Sequence, residues 1–241
     1  MKGSTEILKI KFSTDTKEDI LEYIIAKLSK SMQKTVIVTP NPELVVLAHH
    51  NPQYKSVLNS AHISLPDGVG VVWASRLLEK EVRGRIAGVD FMKSLCEKVS
   101  KQPVTVGLFG GREDVAERAA DCLRKTYPSL QVSYASHLPP TNYKLQPKID
   151  ILFVALGSPK QEQWIHDHLE ELPVKVVMGV GGSFDMISGK VRRSPRIFQQ
   201  LGLEWFWRLM IQPWRIKRQL KLIEFVWLVL REKYGRTKRG N

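Results

Sequence analysis

The sequence predicts an α/β protein: a Rossmann-like, mostly parallel sheet sandwiched by helices, followed by a basic helical appendage. Three observations carry this. Short apolar runs alternate with amphipathic stretches through most of the chain. One run, residues 149–156, is almost wholly apolar, as a strand covered on both faces requires. After Pro195 the strand pattern stops and cations crowd the chain.

The elements follow in order. Residues 7–12 read as a first strand, and residues 17–30 as a helix, because Ile20, Leu21, Ile24, Ile25 and Leu28 recur at helical spacing. The β-branched run 35–38 is a strand ending in Thr39-Pro40-Asn41-Pro42. Pro42 suits the first turn of a helix running to about His49. A strand at 62–65 breaks at Pro66-Asp67-Gly68, and the apolar stretch 69–78 reads as a buried helix. Then come a strand at 104–109, a Gly110-Gly111 turn, a helix at 113–126 and a strand at 130–134. The apolar strand 149–156, a helix at 159–169 and a buried strand at 174–180 complete the sheet. Residues 197–211 and 214–233 read as two helices separated by Pro213. No linker or repeat is present, so the chain divides into an α/β domain, 1–194, and an appendage, 195–241. Truncation after Ser194 is expected to leave the first part largely folded.

Composition limits the function classes. With 43% apolar and 25% charged residues, the chain has the make-up of a globular protein with a sizeable core. No apolar run reaches the roughly 18 residues of a membrane span, and the N-terminus lacks a secretory signal pattern, so the expected location is the cytoplasm. Cys96 and Cys122 are isolated and read as small buried hydrophobes. The charge is lopsided: residues 190–241 hold 14 Lys/Arg against 3 Asp/Glu, a net +11 of the chain's +13. Four of the six tryptophans, Trp205, Trp207, Trp214 and Trp227, lie there too. This mixture suits an anionic membrane surface. It also suits nucleic-acid phosphate or a solvated helix packed on its own domain.

In an open parallel sheet, ligands bind at the carboxyl ends of the strands. Several strands end here in small, polar or glycine-rich turns, whose backbone can approach a ligand closely and offer amides to phosphate. A nicotinamide enzyme is disfavoured. Gly107-Leu108-Phe109-Gly110-Gly111 is not a full GxGxxG fingerprint, and the next strand has no acidic residue for a ribose. No GxxxxGK[ST] loop, HExxH helix or Asp-x-Asp carboxylate clamp is present, so no cofactor is expected and the activity is expected to be metal-independent.

Five blocks occur in order: Thr39-Pro40-Asn41-Pro42, Pro66-Asp67-Gly68, Arg85-Ile86-Ala87-Gly88-Val89-Asp90, Gly157-Ser158-Pro159-Lys160-Gln161-Glu162 and Gly181-Gly182-Ser183-Phe184-Asp185. Together they resemble the signature blocks of the WecG/TagA/CpsF glycosyltransferases. The resemblance covers nearly the whole chain, including Arg192-Arg193-Ser194-Pro195 and Leu203-Glu204-Trp205. It implies an inverting enzyme that moves N-acetylmannosamine, its uronic acid or another hexose from a UDP-sugar to an undecaprenyl-pyrophosphate-linked sugar, in teichoic acid, common antigen or capsule synthesis. It also implies a compact α/β domain unlike the two large glycosyltransferase folds. The appendage would hold the enzyme peripherally on the inner face of the plasma membrane, without a nucleic-acid partner. A homo-oligomer is compatible with it.

The resemblance assigns roles that the residues can perform. Asp67 matches the family's proposed base and can take a proton from an acceptor hydroxyl; read bare, Pro-Asp-Gly is a turn that starts a helix. Thr39 and Asn41 offer short hydrogen-bonding groups for a sugar, or simply form a turn before a helix. Arg85 is a candidate to neutralise the diphosphate leaving group, or else a surface arginine. Gln161 matches the family's glutamine and is a candidate for donor sugar or phosphate, while Glu162 reads as a first-turn carboxylate. Read from the residues themselves, Gly110, Gly111, Gly181 and Gly182 would cradle the nucleotide, with Gly110-Gly111 reading equally as a tight strand-to-helix turn, and Asp185 would accept from ribose or uracil or else is a turn residue. Arg208, Arg215, Arg218 and Arg231, with Trp205, Trp207 and Trp214, are the candidates for membrane and acceptor contact.

Overall fold

The structure, a computed structural model, describes residues 3–30, 33–140, 148–200, 202–213 and 216–237. It opens with an antiparallel hairpin of β1 (Ser4–Ile7) and β2 (Ile10–Ser13), pairing Ile7 with Ile10. The single strand expected at 7–12 is therefore corrected. Leu8 and Lys9 reverse the chain with φ of 51° and 64°, but neither is a usual turn residue, so the reversal leaves no sequence signal.

The main sheet contains β3 (Thr35–Val38), β4 (Ile63–Ser64), β5 (Thr105–Gly110), β6 (Gln131–Ser136), β7 (Ile151–Ala155) and β8 (Val176–Gly179). Its order is β4-β3-β8-β7-β5-β6, and every pair is parallel. The sheet thus bears out the predicted α/β architecture. Side chains alternate between its two faces. Ile151, Phe153, Val176 and Met178 face one core, with α1 (Lys17–Lys30), α5 (Gly88–Val99), α6 (Val115–Thr126) and α8 (Ser183–Ile187). Leu152, Val154 and Val177 face the other. That core takes in the hairpin, α2 (Pro42–His50), α3 (Pro52–Asn59), α4 (Val69–Leu77), α7 (Lys160–His168) and α11 (Ile216–Thr237).

Several helices depart from expectation. Helices α3, α5 and α8 are additional to those expected from the sequence. Asn51 ends α2 and caps α3, accepting a hydrogen bond from the Tyr54 amide at 3.0 Å, so two helices abut without a loop to mark them. The helix at 69–78 is only half buried: Val71 and Ala74 enter the core, while Val69 and Trp73 are exposed. The single helix expected at 197–211 is two, α9 (Arg196–Gln200) and α10 (Glu204–Ile211). Gly202 separates them with φ of 72°, and a Cβ there would come within 2.2 Å of Val69. Glycine thus both breaks the helix and lets the tail press against the start of α4.

The tail also re-enters the core. Phe225, Leu228 and Val229 of α11 are buried with residues of α2 and α4. Charged pairs flank this contact: His50 with Glu224, Lys221 with Glu43 at 3.9 Å, and Lys233 with Glu79. Removing residues 195–241 would therefore uncover one face of α2 and α4. Phe225→Ala is expected to cost about 3–5 kcal/mol in denaturant unfolding; a change below about 1 kcal/mol would show that α11 is not part of the core.

Candidate functional site

Parallel pairing brings four of the five blocks, together with the Gly110-Gly111 turn, to one edge, and the fifth, Arg85 to Asp90, is tied to it through the Ile86 amide. Across it run the loops after β4 (Pro66-Asp67-Gly68), β3 (Thr39 to Pro42), β8 (Gly181-Gly182), β7 (Gly157 to Glu162) and β5 (Gly110-Gly111). Four inter-strand spacings make this row about 19 Å long. The helices α4, α5, α6, α7 and α8 begin here without a side-chain cap, so their positive ends face the edge.

The β3 and β4 end holds the first cluster. The Asp67 amide donates to the Pro40 carbonyl at 3.1 Å, and the Ile86 amide to the Pro66 carbonyl at 2.8 Å, fastening three loops together. Gly68 has φ of 91°, and a Cβ there would lie 3.2 Å from Pro42. The methyl of Thr39 would lie 3.2 Å from a Cβ on Gly88. The Asn41 carboxamide oxygen accepts from the Leu44 amide at 3.1 Å, which makes Asn41 the cap of α2.

Asp67 keeps 27% of its side-chain surface open to solvent, and the Arg85 Nε lies 3.5 Å from its carboxylate. Burial pushes the Asp67 carboxyl above its ordinary range, against the pull of Arg85 and of the Gly88 amide. Arg85 also donates to Glu204 at the start of α10. Glu204 meets Arg193 at 3.4 Å, and Arg193 holds both oxygens of Asp90 at 2.5 and 2.6 Å. Burial opposes the ionised forms of Arg85, Glu204 and Asp90, yet their partners prevail and keep all three charged. No role was assigned to Asp90, Arg193 or Glu204 from the sequence, although all three stand in the quoted blocks. Pairing across 103 and 119 residues leaves no local spacing to read.

The second cluster lies at the ends of β7 and β8. Gln161 is buried, and its side-chain oxygen accepts from the Gly181 amide at 2.9 Å. Its Nε2 donates to Ser158 at 3.2 Å and to Glu162 at 2.7 Å. Gln161 therefore fastens the Gly181 turn to the start of α7. Glu162 stands in the first turn of α7, as expected, but is buried and accepts from Ser158 at 2.7 Å and from the Tyr54 hydroxyl at 3.1 Å. Burial raises its carboxyl above the ordinary range, although Gln161, Ser158 and Tyr54 favour the ionised form. Tyr54 was missed because a tyrosine within an unassigned helix carries no signal.

Gly110 has φ of 102°, and a Cβ on it would come within 2.9 Å of the Ala155 backbone. The close crossing of β5 and β7 alone thus requires a glycine there. Gly111 also has a positive φ and donates its amide to the Ala155 carbonyl at 2.9 Å. Gly182 is exposed. The backbone carbonyl of Asp185 accepts from the Val191 amide at 2.9 Å, which anchors the segment leading to Arg193.

Of the tail candidates, Trp205 is exposed beside Phe206. Trp207 turns inward: its ring packs on Phe198, and its indole nitrogen is buried without a hydrogen-bond partner among the described residues. Arg231 lies over the exposed ring of Trp227, 5.3 Å from its centre. Trp214 and Arg215 lie outside the described residues, as do the side chains of Arg208 and Arg218. Among the described residues no group of three His, Cys, Asp or Glu is placed to hold a metal, and no helix is long and apolar enough to cross a membrane.

Tyr54→Phe removes a donor from the buried Glu162 and is expected to cost about 1–3 kcal/mol. The loss should be larger at neutral than at acidic pH, because the phenol serves the ionised carboxylate. Thermal unfolding at two pH values checks this, and an equal loss at both would contradict it.

Comparison with known proteins gives consistent results. The model of the glycosyl transferase WecG/TagA/CpsF family matches residues 5–239. A Bacillus subtilis protein named N-acetylglucosaminyldiphosphoundecaprenol N-acetyl-beta-D-mannosaminyltransferase is 38% identical over 203 residues, covering 82% of this chain and 79% of the relative. A Bacillus spizizenii protein of the same name is 37% identical, covering 84% of this chain and 81% of its own length. One from Staphylococcus aureus is 32% identical over 240 residues, 96% of this chain and 94% of the relative.

Proposed function

The chain belongs to the glycosyl transferase WecG/TagA/CpsF family, and we propose that it is an inverting transferase that moves N-acetylmannosamine from its UDP-sugar to undecaprenyl-diphosphate-linked N-acetylglucosamine. The observation that carries this reading is the pair at the β4 end: a carboxylate of raised basicity, Asp67, 3.5 Å from a permanently charged guanidinium, Arg85. Both sit at the carboxyl edge of a parallel sheet, where nucleotide ligands bind.

The chemistry follows from these positions. The acceptor hydroxyl oxygen attacks the anomeric carbon while Asp67 takes its proton. The bond between that carbon and the diphosphate oxygen breaks, and UDP leaves with the electron pair. Arg85 offsets the charge that develops on the diphosphate, together with the uncapped helix starts. The donor would lie along the row of loops, with its sugar near Asp67 and Thr39 and its nucleotide towards Gly181, Gly182, Asp185, Gly110 and Gly111. Gln161 would act by holding the Gly181 turn, with its side chain already engaged there. With these cations and amides carrying the leaving group, the reaction would proceed without a metal ion.

The acceptor's lipid fixes the place of reaction at a membrane. The support for peripheral attachment is the outer face of α11, where Ile216, Leu220, Ile223, Trp227 and Tyr234 are 51–69% exposed. Trp205, Phe206 and Met210 of α10 are exposed as well. Basic residues accompany these side chains, so rings and aliphatic chains would enter the interface while cations meet anionic headgroups. The inner face of the plasma membrane is the proposed address.

Release of UDP from a panel of UDP-hexoses, with a short-chain polyprenyl-diphosphate N-acetylglucosamine acceptor and with and without chelator, tests this function. Acceptor-dependent release is expected with UDP-N-acetylmannosamine, unchanged by chelator. Asp67→Asn should lose about 10²–10⁴-fold in kcat. No release from any donor by folded protein would contradict the function. Full activity of Asp67→Asn would contradict the base, and loss to chelator with restoration by Mg²⁺ would contradict metal independence.

A further inference from the structure

Glu204 belongs to the tail, yet its carboxylate reaches the partner of Asp67. Arg85 lies between two carboxylates, Asp67 from the end of β4 and Glu204 from the start of α10. Glu204 lies in turn between two guanidiniums, Arg85 and Arg193, and accepts from the Ser194 hydroxyl at 3.3 Å. Arg193 closes the series with its two-pronged contact to Asp90. Five charged side chains, drawn from four segments of the chain, thus alternate in sign. Glu204 is 15% exposed and Arg85 24%, so water screens their contact only in part.

An arginine that serves a single carboxylate stabilises its charged form and makes it a weak base. Shared with a second carboxylate, the same arginine does so less. We propose that Glu204 is a positioning residue for transfer: by holding the far end of Arg85 it orients the guanidinium beside Asp67 and preserves the basicity of Asp67, so that docking of α10 completes the base. This rests on the reading of Asp67 as the base. The groups facing Asp67 are Arg85, the Gly88 amide and Glu204. After burial, the first two lower its proton affinity and Glu204 raises it. Glu204 itself is held in its ionised form by Arg85 and Arg193, so its charge is present when the base acts.

The sign of the effect separates this role from a purely structural one. Activity is lost as pH falls through the titration of Asp67. Removing the negative charge of Glu204 lowers the proton affinity of Asp67 and moves this acidic limb to lower pH. Removing the positive charge of Arg193 leaves Glu204 less compensated and moves the limb to higher pH. A structural lesion has no reason to move it in opposite directions.

The test is the pH profile of kcat and of donor KM for the full chain, alongside carboxyl-carbon NMR titration of Asp67 and thermal unfolding. Glu204→Gln is expected to lower kcat roughly tenfold with donor KM within about twofold, and to shift the acidic limb down. Arg193→Gln is expected to shift the limb up. Limbs that stay in place, or that move the same way in both variants, would overturn the proposal however much activity is lost. Should Glu204→Gln not fold, the direction in Arg193→Gln decides alone. The NMR titration keeps the two readings apart: opposite shifts of Asp67 without sugar transfer by the wild-type protein would sink the proposed function but leave the coupling standing.

Discussion

Every strand of the main sheet runs in the same direction, and the rest of the molecule depends on that constraint. Parallel pairing sends all carboxyl ends to one edge, forces each connection back across a face, and buries the strands on both sides. Residues far apart in the chain, such as Thr39, Asp67, Gln161 and Gly181, come into one row for this reason alone. The row follows strand neighbours, not chain order, so the loop after β8 lies between those after β3 and β7.

Position along this edge is then fixed by polar fastenings. At one end the backbone bonds of Asp67 and Ile86 and the ionic series through Arg85, Glu204, Arg193 and Asp90 hold the loops and the tail together. Near the middle, buried Gln161 and Glu162 tie the β7 and β8 loops to α3 through Tyr54. Such groups are costly to bury unless satisfied, and each of these has its partner. Helix α11 adds an apolar fastening through Phe225, Leu228 and Val229. The tail has two faces, one packed on α2 and α4 and the other exposed and apolar, which reconciles a structural role with the proposed membrane contact.

Periodicity made the six sheet strands and most long helices legible, because each buries a repeating face. It missed the hairpin reversal at Leu8-Lys9, where no glycine or asparagine marks the turn, and the abutting helices around Asn51, where one residue ends α2 and caps α3. The loop residues of the site were legible as blocks, and the sheet gathers them as expected. Their partners were not: Glu204, Arg193 and Tyr54 act through contacts more than 100 residues distant for at least one partner. Nor does spacing show that the Gln161 amide is hydrogen-bonded to Gly181, Ser158 and Glu162, since orientation of a side chain leaves no mark in it.

The proposed reaction is a single displacement at the anomeric carbon, with Asp67 as base and UDP as leaving group. The most direct measurement is the anomeric configuration of the newly formed glycosidic bond, read by NMR on product made from a donor of known configuration. Inversion is the expected result. Retention would mean a double displacement or front-face route and would contradict the assignment of Asp67 as a base acting on the acceptor in one step.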